Sequence, residues 1–150
     1  MASKLLLVDV TGGDGSVLEQ EWLARAEVVH RQLRPGLPAD YCARLQAVFA
    51  NGARMSLAAE GNTVRGLALW RVIENTYEGR RLYVDDLATD AAHRSRGVGR
   101  ALLQHVEGRA RALKCDVLAL DSGTQRTEAH RFYFREGLVI PAFCFRKDLT

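Results

Sequence analysis

The chain is poor in the residues that build covalent or metal-held scaffolds. Its 150 residues include three cysteines, Cys42, Cys115 and Cys144, far apart and without paired Cys/His spacing. An odd, scattered count excludes a disulfide framework and a structural zinc site, and reads as reduced thiols in a cytoplasmic protein. Long apolar runs are also missing. The longest early one, Leu5-Leu6-Leu7-Val8, falls far short of the roughly 20 residues of a membrane span and lacks the cleavage pattern of a secretory leader, so it reads as a strand. There are only three prolines, no internal repeat and no low-complexity tract or linker. The expectation is therefore one domain over residues 1–150, long enough to bury a sizeable core. Charge of one sign is scarce as well: 21 basic against 18 acidic residues leave a net +3. That is too even to indicate nucleic acid or a membrane as partner.

What is present is concentrated. Between His93 and Arg111 stand five arginines and one glutamate, so the basic surplus gathers around one Gly-rich loop and the segment after it. A basic patch at a helix start suits a phosphate-bearing small ligand.

The hydrophobic period divides the rest. Lys4–Val10 is a short strand ended by Thr11-Gly12-Gly13-Asp14-Gly15. Ser16 and Glu19 stand in capping-box register before a helical stripe of Val17, Leu18, Trp22, Leu23, Ala26 and Val29. A second helix runs from about Ala39 to Ala50. The period then changes to two: Arg54–Glu60 and Thr63–Ile73 form a hairpin at Gly61-Asn62, and Arg81–Thr89 is a third strand of this group. The clearest helix follows, with Val98, Leu102, Val106, Ala110 and Leu113 on one face. A strand over Asp116–Asp121, a helix over Thr127–Glu136 and a last strand within Ile140–Lys147 complete the order. This predicts an α/β domain with a single mixed, mostly antiparallel central sheet of about six to seven strands, flanked by about four helices.

The segment that carries chemistry is Arg94-Ser95-Arg96-Gly97-Val98-Gly99, between the Arg81–Thr89 strand and the long helix. Glycines there let backbone N–H groups approach a phosphate, and the helix start adds partial positive charge. Arg94, Arg96 and Arg100 add ionic contacts. The loop lacks Gly-Lys-Ser/Thr, which excludes a nucleoside triphosphate P-loop, and the hairpin upstream does not suit a dinucleotide fold.

On these residues the sequence resembles the GNAT superfamily of acetyl-coenzyme A-dependent N-acyltransferases. Its Arg/Gln-x-x-Gly-x-Gly/Ala signature is met by Arg94, Gly97 and Gly99. Ala129-His130-Arg131-Phe132-Tyr133-Phe134-Arg135-Glu136-Gly137 is similar to the family's second landmark. The motif style is nearest to small-molecule acetyltransferases of the aminoalkylphosphonate and polyamine kind. The resemblance implies acetyl-coenzyme A as cosubstrate, no metal, and direct transfer to an amine in a ternary complex. It also implies backbone contacts from Leu87, Ala88 and Thr89 on a bulged strand to the pantetheine arm, and diphosphate contacts from the loop through Val98, Gly99 and Arg100. Ser122, Arg126 and His130 are further candidates beside the donor. Arg126 stands where many relatives carry an asparagine that touches pantetheine.

A free alkyl amine has a pKa near ~10.4, so the site needs a base to take its proton. Asp85 and Asp86 are the candidates, expected on opposite faces of their strand; matching the strand to members of the family it resembles, by distance from Arg94, favours Asp85 and leaves the other a structural acid. Tyr133 is the candidate acid for the leaving thiolate, or else a core tyrosine. Together with Glu60 the two carboxylates point to a cationic small-molecule amine as acceptor. His93 borders the loop, Cys115 reads as a buried hydrophobe, and Trp70 and Tyr77 either wall the acceptor site or pack the sheet. A protein or peptide substrate, and a non-catalytic acyl-coenzyme A sensor, are the alternative readings. The apolar segment Ile140–Phe145 offers a homodimer contact.

Overall fold

The computed structural model describes residues 4–150, which fall into two compact units divided between Ala119 and Leu120. The elements are β1 (Leu6–Asp9), α1 (Gln20–Leu33), α2 (Tyr41–Ala50), β2 (Arg54–Glu60), β3 (Thr63–Asn75), β4 (Gly79–Thr89), α3 (Val98–Ala112), β5 (Val117–Leu120) and α4 (Thr127–Arg135), with a turn of 3-10 helix at Ala91–His93. One five-stranded sheet runs in the order β1-β2-β3-β4-β5, and the first four strands pair antiparallel.

The strand pattern explains the layers of the first unit. Leu57 pairs with Leu67, and Leu69 follows two residues later on the same face. These side chains join Leu23, Ala26 and Val29 of α1 and Tyr41, Leu45 and Phe49 of α2 in one buried cluster. Such aliphatic and aromatic burial, at about 25 cal/mol per Å² of apolar surface, is what holds the two helices to this side. The opposite face receives α3. A Cβ added at Gly66 would lie 2.7 Å from Val98 Cγ1 and 2.9 Å from Leu102 Cδ1. Glycine at that position is therefore what lets α3 seat closely on β3.

Two sequence expectations fail. The capping box does not form, and helix α1 begins at Gln20. The Ser16 hydroxyl and N–H instead both donate to Asp14 Oδ1, at 2.6 and 2.9 Å, and Thr11 bridges to Val17. The Gly-Gly-Asp-Gly turn captures Ser16 before a helix can use it, which leaves Val17 and Leu18 outside α1. The strand expected within Ile140–Lys147 is also absent, so the sheet has five strands rather than six or seven. That segment pairs with no strand: Pro141 brings no N–H to a ladder, and Phe143 and Phe145 are 83% and 94% exposed.

Candidate functional site

The Arg94–Gly99 loop enters α3 through two left-handed residues, Ser95 at φ 64° and Gly97 at φ 81°. Gly97 takes the conformation without a Cβ penalty; Ser95 holds it at a small cost. Gly97 is the N-cap, and no side chain caps the helix. The first intrahelical bond at this end is Ala101 N–H to the Gly97 carbonyl, 3.0 Å, so the N–H groups before Ala101 have no carbonyl of the helix to reach. Arg94, Ser95 and Arg96 are exposed, and neither arginine has a hydrogen-bond or ion-pair partner among the described residues. Unfilled donors, a helix N-terminus and two unpaired guanidinium groups fit a diphosphate. Val98 is buried beneath the loop and anchors it to the sheet, while Gly99 and Arg100 continue the first turn.

The acid pair is arranged differently from the sequence expectation. Asp86 pairs with Leu69 and Val84 with Trp70, which leaves Asp85 as the extra residue of a β-bulge in β4. Asp85 binds Arg71 through both carboxylate oxygens, at 3.1 and 3.0 Å from Nε. Arg71 lies two residues beyond Leu69 and reaches the Asn51 carbonyl at the end of α2. Asp86 binds His30 and Arg34 from the region of α1. Both acids thus face the α1/α2 layer. Simple alternation is broken because a bulge re-aims the side chain it adds.

Asp86 is 8% exposed, with His30 at 1% and Tyr41 at 2%. His30 Nε2 lies 2.7 Å from Asp86 Oδ2, His30 Nδ1 lies 2.8 Å from the Tyr41 hydroxyl, and Arg34 Nη2 lies 2.6 Å from Asp86 Oδ1. Burial alone would raise the Asp86 carboxyl, but hydrogen bonds from His30 and Arg34 and the Arg34 charge hold it below the usual carboxylate range. His30, Tyr41 and Arg34 had no functional signal in the sequence. The one available clue was a histidine on the apolar stripe of α1, where burial demands a partner. Glu60, the third acid expected near an acceptor, pairs with Arg65 at 3.1 Å.

Leu87, Ala88 and Thr89 continue β4 past the bulge. Ala88 is buried in the α1/α2 cluster. His93 sits before the loop with Nδ1 3.2 Å from both Arg65 Nη1 and Asp90 Oδ2. Trp70 is buried and donates to Ser56 Oγ at 3.1 Å. As the neighbour of Leu69 it occupies the other face of the sheet from the acid pair, so it is no wall of a site there. Tyr77 is 73% exposed in the β3–β4 turn. A cavity of about 320 Å³, lined by Asp9, Arg54, Trp70, Arg80, Arg109 and Leu113 among others, opens near the C-terminal end of α3 and includes none of the expected catalytic residues. Cys115 is half-buried. Among the described residues, no group of three His, Cys, Asp or Glu side chains is arranged to hold a metal, and no helix is long and apolar enough to cross a membrane.

In the second unit, Tyr133 is the buried residue of α4. Burial raises its phenol above the ordinary value against the opposing charge and hydrogen bond of Arg126, so the hydroxyl keeps its proton. His130 Nε2 donates to the Gly123 carbonyl at 2.8 Å. The Ser122 hydroxyl is buried without a hydrogen-bond partner among the described residues.

A model of the acetyltransferase (GNAT) family matches residues 19–137. The chain belongs to this family. It is 37% identical over 136 residues to an uncharacterized N-acetyltransferase of Bacillus subtilis, YhdJ, with 87% of this chain and 94% of that one covered. The GNAT fold recurs in solved structures. An aminoglycoside N-acetyltransferase, AAC(6')-Iy, in complex with coenzyme A superposes with a TM-score of 0.83 at 16% identity, covering 100% of this chain and 98% of that one. A transcriptional regulator from Bacillus halodurans superposes at 0.73 with 22% identity, covering 97% and 100%. At such identities the likeness is one of fold. Family membership makes this GNAT chain an acetyl-coenzyme A-dependent N-acetyltransferase.

Proposed function

We propose that this acetyltransferase passes the acetyl group to a primary amine of a small molecule by direct attack in a ternary complex. The observation that carries the reading is the bulge at Asp85, which gathers two carboxylates on one face just ahead of Leu87, Ala88 and Thr89. Those three residues offer backbone groups to the pantetheine arm. The loop from Arg94 to Arg100 (Arg94, Ser95, Arg96, Gly97, Val98, Gly99, Arg100) takes the diphosphate on backbone N–H groups and guanidinium charge. The orphaned Ser122 hydroxyl, Arg126 and His130 lie in the second unit as further donor contacts.

Asp85 and Asp86 supply the base and Tyr133 the acid. The attacking nitrogen turns strongly acidic as the new C–N bond forms, so even a carboxylate of low basicity draws its proton at that moment. The lowered Asp86 carboxyl is ionised throughout the neutral range, ready to accept it. Asp86 Oδ2 keeps a second lone pair beyond His30, whereas Oδ1 already accepts twice from Arg34. The raised Tyr133 phenol holds the proton that the departing sulfur needs. Asp85, Asp86 and Glu60 each meet an arginine, so little negative charge is left over for a polycation. This favours an acceptor recognised by one amine.

The family match runs across both units, which supports reading the chain as a single catalytic domain. The reduced cysteines support a cytoplasmic setting. The exposed apolar segment from Val139 to Phe145 supports a homodimer in which a second copy covers it. The test is a panel of amines (monoamines, aminoglycosides, amino acids and short peptides) with acetyl-coenzyme A, read by thiol release. Amine-dependent release with a small monoamine is expected. Release with peptides alone would move the substrate class to protein termini, and no release with any amine would sink the catalytic reading.

A further inference from the structure

His30, Tyr41 and Asp86 come from α1, the first residue of α2, and β4. They meet as a continuous hydrogen-bonded chain inside an otherwise apolar cluster. Their neighbours on the same face of the sheet are Leu57, Leu67 and Leu69. A buried polar chain of this kind adds little stability over a well-packed apolar equivalent, so stability alone does not account for it. Its geometry also has a direction. The phenol of Tyr41 is pushed far up by burial and stays protonated. In the neutral Nε2–H tautomer of His30, the Tyr41 O–H donates to Nδ1, 2.8 Å away, and Nε2–H donates to Asp86 Oδ2, 2.7 Å away. The other carboxylate oxygen, Oδ1, accepts from Nε and Nη2 of Arg34 at 2.8 and 2.6 Å. With a dedicated donor on each oxygen, the carboxylate cannot rotate without breaking both contacts.

We infer that His30 and Tyr41 are positioning residues, which fix the plane of the Asp86 carboxylate and so the angle at which it meets the acceptor amine. This rests on the reading above that Asp86 meets that amine. Arg34 completes the clamp from the exposed side, its side chain 53% accessible. The function of the chain is orientation: reactive groups held at the correct angle supply part of the rate that a freely rotating base would lose.

The test combines imidazole nitrogen NMR of the intact protein with steady-state kinetics on Asp86→Asn, Tyr41→Phe, His30→Ala and His30→Gln. The wild-type spectrum is expected to show His30 protonated at Nε2 with Nδ1 accepting a hydrogen bond, and Tyr41→Phe to abolish that acceptor signature. Tyr41→Phe should lower kcat several-fold, to about tenfold, with KM for acetyl-coenzyme A unchanged. His30→Ala should cost more, and His30→Gln, which retains an N–H donor, should recover part of the loss. A His30 ring protonated at Nδ1 would overturn the inference. So would folded Tyr41→Phe and His30→Gln proteins with wild-type kcat beside an impaired Asp86→Asn. Full activity in Asp86→Asn would instead remove the reading beneath it, because Asp86 would then not be the group that meets the amine.

Discussion

The two ends of the stretch from Asp85 to Gly99 are prepared in opposite ways. At the loop, no side chain caps the helix start, and Arg94 and Arg96 meet no partner among the described residues. At the bulge, each oxygen of Asp86 has a donor, and both oxygens of Asp85 lie against Arg71. One end presents donors to a ligand that brings its own negative charge. The other end has its charge balanced within the fold, and on the proposed reading the acceptor amine meets a carboxylate already ionised and held. A site that binds a charged group can leave its charges open to water, whereas a buried base must be stabilised by the protein beforehand.

That contrast is sharpened first at the acid pair. Asp86→Asn should lower turnover by about 100-fold or more and also destabilise the fold by about 1–3 kcal/mol, read by steady-state kinetics and denaturant unfolding. Tyr133→Phe should lower kcat by about tenfold or more while acetyl-coenzyme A affinity, measured by calorimetry, stays near wild type. Arg94→Ala and Arg96→Ala should each weaken coenzyme A binding by about tenfold. Stability without ligand should move by no more than about 0.5 kcal/mol, because these side chains hold nothing in the free protein. A large loss of unliganded stability in Arg94→Ala would break the comparison. The smallest effect concerns acid. The folded Asp86 carboxyl lies below its ordinary value of 3.8, so its contribution to stability is present above that value. It is lost as pH falls below 3.8 through the folded value. Asp86→Asn should unfold with a shallower pH dependence in that window, and an unchanged acid limb would contradict the assignment.

Much of the donor end was legible in the sequence because its chemistry is local. Arg94, Gly97 and Gly99 stand within six residues, directly before the clear apolar stripe of α3. The hairpin of β2 and β3 was equally local, with Gly61-Asn62 at its turn. The acid end was not legible for two physical reasons. A bulge is invisible in an alternation of side chains, and the bulged strand that the family resemblance implies carries no mark at Asp85, so Asp85 and Asp86 looked like residues on opposite faces. The partners that define Asp86 are His30, Arg34 and Tyr41, between 45 and 56 positions away in sequence. Turn chemistry also prevailed over helix propensity at Ser16. The apolar pattern of Ile140–Lys147 suggested a strand where no neighbouring strand pairs with it.

The melting temperature of the protein titrated with coenzyme A tests most directly whether the Arg94–Gly99 loop is the proposed seat of the donor. The expected result is a rise that grows with ligand concentration by mass action, corresponding to about 2.7 kcal/mol of added stability at 100 times the dissociation constant, and a smaller rise in Arg94→Ala. An unchanged melting temperature at millimolar coenzyme A, or an equal rise in the wild type and in the Arg94→Ala, Arg96→Ala double variant, would contradict it.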